Sequence, residues 1–137
     1  MGYEKLSHTA DLRLRAWGKD YEELFRSAFL GMMGVLKNDI VSLQTTAAVG
    51  KIIKIESSDI TALLVDFLNE VLYSAAANRE IYIDIKFKKL EEEKLEAEIF
   101  GVAVGAFDED IKAVTYHGAD VQKNKEGFYE TNLVFDI

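Results

Sequence analysis

Apolar and polar residues alternate strictly at one place near the N-terminus. Over residues 12–16, leucine and alanine alternate with arginine, which predicts a strand with one apolar face. Asp20 is then expected to cap a helix, with Glu23 three positions on in a capping-box arrangement. The apolar residues that follow recur at helical spacing, although Gly31 and Gly34 should weaken this helix by up to about 1 kcal/mol each.

A second helix is predicted more strongly. Apolar residues from Ile60 to Ala75 follow the i, i+3, i+4, i+7 rule without a gap, and Ser57 or Ser58 is expected to cap the helix. A strand over residues 52–55 precedes it. The loop before that strand is expected to contain a short strand around Val41 to Leu43.

After Asn78 the periodicity changes to two, which indicates strands. Two hairpins are predicted: one pairs residues 81–87 with 95–101 through a turn at Glu91 to Lys94, and the other pairs Ala113 to Val121 with Phe128 to Ile137 through a turn at Asn124 to Gly127. In the first hairpin, Tyr82 is expected on the polar face. The element order predicts an α+β fold, with two helices packed on a mostly antiparallel β-sheet in one domain over residues 1–137.

Composition and charge exclude several classes of function. The chain has 137 residues and no cysteine, which excludes disulfides, thiol catalysis and thiolate metal sites. Its 24 acidic residues outnumber 16 scattered basic ones, for a net charge of −8, so no direct nucleic-acid binding is expected. No apolar run approaches about 18 residues, and no signal peptide is recognisable. We therefore expect no membrane association and a cytoplasmic location.

Two aspartates near the ends of the chain are the main candidates for chemistry. Asp11 stands just before the first predicted strand and Asp136 at the end of the last one, next to a terminal carboxylate on Ile137. If the two ends meet, these oxygens suit a hard divalent cation such as Ca²⁺, Mg²⁺ or Mn²⁺. Alternatively, Asp11 pairs with Arg13 or Arg15 and Asp136 is merely solvated.

Other polar residues have weaker functional interpretations. His8 and His117 are the only histidines, and His8 is expected to orient a neighbouring group rather than to bind a softer metal such as Zn²⁺. Two sets of surface residues are candidate partner contacts, although a solvated surface is the default interpretation of both: Asp66, Asn69 and Glu70 on the second helix, and Asp108, Glu109 and Asp110 in a charged loop that also contains Lys112. Intrinsic enzymatic activity is not expected, because the chain offers little acid–base machinery near neutral pH.

Five segments resemble the archease family, in order and along nearly the whole chain. They are HTAD at 8–11, WGKDYEELF at 17–25, LLVDFLNEVLY at 63–73, IKAVTYH at 111–117 and FDI at 135–137. The resemblance implies an archease-like sandwich that binds a metal through Asp11, Asp136 and Ile137. It also implies an accessory protein that activates the GTP- and Mn²⁺-dependent RNA-splicing ligase by promoting ligase guanylylation and multiple turnover. Two alternatives remain: a chaperone for an RNA-modifying enzyme such as a tRNA methyltransferase, and a weak metal-dependent hydrolase.

Overall fold

The computed structural model describes residues 1–6, 11–39 and 49–137. The short strand expected around Val41 to Leu43 lies outside the described residues, as does His8. The elements are β1 (Gly2–Leu6), β2 (Leu12–Gly18), α1 (Tyr21–Leu36), β3 (Val49–Glu56), α2 (Ile60–Asn78), β4 (Glu80–Leu90), β5 (Lys94–Ala103), β6 (Ala113–Thr115), β7 (Gln122–Lys123) and β8 (Tyr129–Asp136).

The strands form two antiparallel sheets. One sheet has the order β1-β2-β8-β6, with β7 also paired to β8, and the other has the order β3-β5-β4. Both helices contact strands of both sheets. One continuous cluster of buried side chains joins the two sheets and the two helices. The predicted α+β class with two packed helices is confirmed. Strand β1 was not predicted.

Helix α1 begins as its sequence predicts. The Asp20 carboxylate accepts a hydrogen bond from the Glu23 N–H at 2.8 Å, and the Glu23 carboxylate accepts one from the Lys19 N–H at 3.0 Å. Gly31 lies where the helix meets the sheet, because a Cβ there would come within 2.7 Å of the Leu14 side chain. The glycine that weakens the helix therefore permits its close packing on β2.

Helix α2 has a different cap from the one expected. The Asp59 carboxylate accepts a hydrogen bond from the Ala62 N–H at 2.8 Å, so Asp59 is the N-cap and the prediction of Ser57 or Ser58 was wrong. The Ser57 hydroxyl instead donates to the Asp66 carboxylate at 2.6 Å. Ser57 therefore bonds to a side chain within α2 and does not cap the helix.

By length and composition α2 also meets the criterion for a membrane span. It has 19 residues and a mean hydropathy of 1.4, so our expectation that no apolar run approaches this length was wrong. Much of its apolar surface is buried in the core, where Phe67 stacks near Phe25 and Phe29 at ring-centroid distances of 5.9 and 6.2 Å. One such helix is a weak indication of a membrane span, because core helices of globular proteins have the same character.

Strand β4 departs from simple alternation. Its register against β5 shifts between Tyr82 and Asp84, and an extra residue in one strand changes which face the neighbouring side chains occupy. Tyr82, expected on the polar face, is fully buried. Its hydroxyl donates to Glu80 at 2.9 Å and lies 2.8 Å from the Ser74 hydroxyl. Burial raises the pKa of Tyr82 to about 12.

The predicted first hairpin is confirmed as β4–β5, and the second has an interruption. The run from Ala113 to Val121 divides into β6 and β7, which pair with successive parts of β8. Between them, the Val121 N–H donates to the Thr61 hydroxyl of α2 at 3.0 Å. Because the chain bonds to α2 at this point, it leaves the sheet between β6 and β7. The Asn124 to Gly127 turn forms as expected, with the Gly127 N–H donating to the Asn124 carbonyl at 3.1 Å.

Candidate metal centre at the end of the five-stranded sheet

Strands β2 and β8 bring the two candidate aspartates together. The antiparallel register pairs Leu12 with Phe135, so Asp11 precedes and Asp136 follows the last paired residues at this end of the two strands. Side chains directly opposite each other in such a pair have Cβ atoms about 4.5–5.5 Å apart. The sequence left open whether the segments that contain Asp11 and Asp136 meet. The pairing of β2 with β8 brings these two segments together.

Asp136 is held from its other side by β6. Ala113 pairs with Asp136, and the Lys112 N–H donates to the Asp136 carbonyl at 2.7 Å. The Asp136 side chain itself is exposed, and Ile137 beyond it is 41% exposed. A main chain held by β6 thus presents the Asp136 carboxylate to solvent. We define the acidic tip as Asp11, Asp136 and the oxygens of Ile137.

Asp11 has the ion-pair contact that its sequence also suggested. The Arg13 Nε lies 3.4 Å from Asp11 Oδ1, and the Asp11 side chain is 25% exposed. A contact of this length is a weak hydrogen bond, and partly exposed ion pairs contribute little stability. The guanidinium offsets part of the negative charge of Asp11.

The donor chemistry of the acidic tip fits a hard cation. Carboxylate and backbone oxygens are the ligands that Ca²⁺, Mg²⁺ and Mn²⁺ prefer. Within the described parts of the chain, no three His, Asp or Glu side chains form a cluster able to hold a metal. The tip therefore has two carboxylate side chains, and Ile137 can add only oxygens of its main chain. His117 lies two residues beyond β6, which runs away from Asp136, and it is exposed.

The polar residues of α2 have intramolecular partners. The Asp66 carboxylate accepts hydrogen bonds from the hydroxyls of Ser57 and Tyr116. The bond to Asp66 raises the pKa of Tyr116 above its ordinary value. Glu70 is exposed. Asp66 therefore fastens α2 to the segment after β6, and Glu70 is the freest candidate for a partner contact on this helix.

Asn69 makes the most extensive contacts of this group. Its side-chain oxygen accepts from the Val114 N–H at 2.9 Å, and its amide donates to the Val114 carbonyl at 2.8 Å. The same amide donates to the Val65 carbonyl at 3.1 Å. Because Val114 is the central residue of β6, α2 contacts the strand that borders Asp136.

The charged loop before β6 has a similar division of roles. Asp108 is tied to the end of α1, where its carboxylate accepts from the Asn38 N–H at 2.7 Å and lies 3.8 Å from the Lys37 ammonium. Asp110 is exposed, and Glu109 is half-buried. The loop lines a groove of about 520 Å³, whose other wall includes Ala76 and Arg79.

One residue of this region was not recognised from the sequence as a neighbour of the candidate site. Lys112 was grouped with the acids of the charged loop, but its N–H bond to Asp136 places it beside the acidic tip, where its side chain is exposed. The spacing of alternating residues could not reveal this neighbour, because the pairing of β6 with β8 is needed to locate it. An ammonium group here would attract the phosphate groups of a nucleotide.

Known proteins resemble this chain along nearly its whole length. Residues 3–137 match the model of the Archease protein family (MTH1598/TM1083). The chain belongs to the archease family. It is 33% identical to an archease from Methanosarcina barkeri, over 98% of this chain and 95% of that protein, and 30% identical to an archease from Pyrococcus furiosus, over 98% of each. It is also 30% identical to an archease-like protein from Drosophila melanogaster, over 100% of this chain and 91% of that protein.

Two solved structures are similar in fold. The solution structure of protein 1598 from Methanobacterium thermoautotrophicum has a TM-score of 0.79 and 26% identity, over 99% of each chain. The crystal structure of an archease from Thermotoga maritima, described as a possible chaperone, has a TM-score of 0.65 and 20% identity, over 98% of this chain and 96% of that one. The two-sheet, two-helix arrangement is thus the archease fold.

Proposed function

We propose that this protein is a non-enzymatic activator of the GTP- and Mn²⁺-dependent RNA-splicing ligase. The observation that supports the proposal is the pairing of Leu12 with Phe135, because Asp11 and Asp136 adjoin this pair at one end of the sheet and the Asp136 side chain is exposed. Family membership supports it, since the family match extends over residues 3–137 and so covers both aspartates. The net charge of −8 favours a protein partner that itself holds the RNA.

The acidic tip would act inside the nucleotide site of the ligase. Asp11 and Asp136 would hold a divalent cation with oxygens of Ile137, and such an ion neutralises phosphate charge and orients a pyrophosphate leaving group. Because β6 pairs with Asp136 and β2 pairs with the preceding Phe135, the Asp136 carboxylate would need little reordering to bind. Faster transfer of GMP to the ligase would follow, and with it repeated turnover.

The test is multiple-turnover RNA ligation by the ligase of the same organism, with GTP and Mn²⁺, with and without this protein. We expect each ligase molecule to join many RNA pairs only when the protein is present. Ligation that is equally fast in its absence would contradict an activating role.

A second function, chaperoning an RNA-modifying enzyme such as a tRNA methyltransferase, is favoured by exposed aromatic side chains. Tyr73 is 71% exposed and Tyr116 59%. Exposed apolar surface is what a chaperone would use. Suppression of methyltransferase aggregation that persists in Asp136→Asn and is lost in Tyr73→Ser would support this function. Equal aggregation with and without the protein would exclude it for that enzyme.

A further inference from the structure

We propose that Asn69 is the positioning residue of the acidic tip, and this inference rests on the proposed function. Its side-chain amide pairs with both backbone groups of Val114, accepting from the N–H at 2.9 Å and donating to the carbonyl at 2.8 Å. Two hydrogen bonds to one residue fix an orientation as well as a distance. Asn69 thus makes the two hydrogen bonds that a neighbouring strand would make to Val114 on the free edge of β6.

The edge matters because β6 is short. It has three residues, and its opposite side pairs with the last part of β8, through Ala113 to Asp136 and Val114 to Phe135. A short edge strand held from one side alone frays readily, since few hydrogen bonds oppose its opening. The pairing with α2 adds a second hold from a rigid element. Positions on helices are more precise than positions on loops.

The path from Asn69 to the tip is two residues long. Val114 is followed towards the tip by Ala113, which faces Asp136, and then by Lys112, whose N–H donates to the Asp136 carbonyl at 2.7 Å. Asn69 does not touch the carboxylate. It acts by holding the strand that holds the main chain of Asp136, so the carboxylate keeps its place at the end of the sheet near Leu12 and Phe135.

The same helix offers a matched control. Asn78 also donates its side-chain amide to the carbonyl four residues earlier, Ser74, at 2.9 Å, as Asn69 does to Val65. Its side-chain amide contacts Ser74 of α2 and the Tyr82 hydroxyl of β4. Asn78→Ala therefore removes a helix-surface amide of the same kind without removing a bond to β6. A difference between the two variants reports the pairing with Val114.

The experiment compares wild type, Asn69→Ala, Asn69→Asp and Asn78→Ala by amide hydrogen exchange and by Mn²⁺ titration. In Asn69→Ala, exchange of the Val114 and Lys112 amides should quicken about tenfold, as the loss of one net hydrogen bond implies. Mn²⁺ affinity should fall about tenfold, as for loss of a ligand-orienting group. Asn69→Asp keeps the bond from the Val114 N–H and should be intermediate. Asn78→Ala should match wild type.

Two results would overturn the inference. If the Lys112 amide exchanges at the same rate in Asn69→Ala as in Asn78→Ala, then Asn69 does not hold the strand beside Asp136. Unchanged Mn²⁺ affinity with a loosened β6 would show that the tip does not need this hold. If wild type binds no Mn²⁺, the metal part of the proposed function fails, and the Lys112 exchange rate still decides the positioning role. If Asn69→Ala does not fold, Asn69→Asp supplies both readouts.

Discussion

The Asp108 carboxylate accepts a hydrogen bond from the backbone N–H of Asn38 at 2.7 Å, and this contact fastens the charged loop to the end of α1. We expect Asp108→Ala to lower the free energy of unfolding by about 1 kcal/mol, because a backbone donor loses its partner. Asp108→Asn keeps an acceptor oxygen and should lose less. Urea denaturation of the three proteins measures the difference, and equal midpoints would show that the contact contributes no stability.

Asp110, two residues away in the same loop, is exposed and tests partner docking separately. We expect Asp110→Lys to leave the unfolding free energy within about 0.5 kcal/mol of wild type, as surface substitutions usually do. If the loop contacts the ligase, the same variant should need a higher concentration to reach half-maximal stimulation of ligation. An unchanged concentration dependence would remove this loop from the partner interface.

The two glycines of α1 should respond in opposite ways to alanine. At Gly31 a Cβ would lie 2.7 Å from the Leu14 side chain and 2.9 Å from Tyr3, so Gly31→Ala should destabilise by about 1–3 kcal/mol through overpacking. At Gly34 the nearest atom is the Tyr3 hydroxyl at 3.5 Å, an ordinary contact. Gly34→Ala should therefore stabilise by up to about 1 kcal/mol through helix propensity. Thermal unfolding of both variants checks this, and a shift of the same sign in both would contradict it.

Tyr82 should make stability depend on alkaline pH. Because burial raises its pKa from 10.0 to about 12 in the folded protein, its contribution is complete below pH 10 and is lost as the pH rises through 12. Over this window the free energy of unfolding should fall by up to about 1.4 kcal/mol per pH unit from this one group. Tyr82→Phe should start less stable at pH 8, since Glu80 loses a hydrogen-bond donor, and should decline less steeply. Parallel declines between pH 9 and 11 would contradict this account.

Much of the fold could be read from local patterns. Patterns that depend only on residues close in sequence were predictable. They are the alternation in β2, the capping box of Asp20 and Glu23, and the unbroken helical spacing of α2. The hairpin of β4 and β5 was predictable for the same reason, because a short turn joins two strands with clear periodicity.

The errors have two causes. The cap of α2 was assigned to the wrong one of several neighbouring polar residues, since the Asp59 carboxylate accepts from the Ala62 N–H and the Ser57 hydroxyl donates to Asp66. The other errors depend on partners that are distant in sequence. Tyr82 changed faces because of a bulge. Strand β1 was missed because its recognition depends on Gly2 packing against Trp17 of β2, where a Cβ would clash with the indole ring. None of these partners is near in sequence.

The candidate site divides in the same way. Asp11 and Asp136 could be nominated from their places at strand ends, and the register pairs their neighbours Leu12 and Phe135. The roles of Asn69 and Lys112 depend on where β6 lies, which no local pattern indicates. Both were visible in the sequence only as members of polar groups.

The most direct test of the account is the rate at which the ligase acquires GMP in a single turnover at limiting Mn²⁺. Asp136→Asn removes a charge from the acidic tip, and Asp84→Asn removes one from β4 in the other sheet, where the side chain is 64% exposed. We predict that wild type and Asp84→Asn accelerate guanylylation equally. Asp136→Asn should lose at least about tenfold of that acceleration, as the removal of a metal ligand implies. Equal acceleration by all three proteins would contradict the claim that the tip activates the ligase.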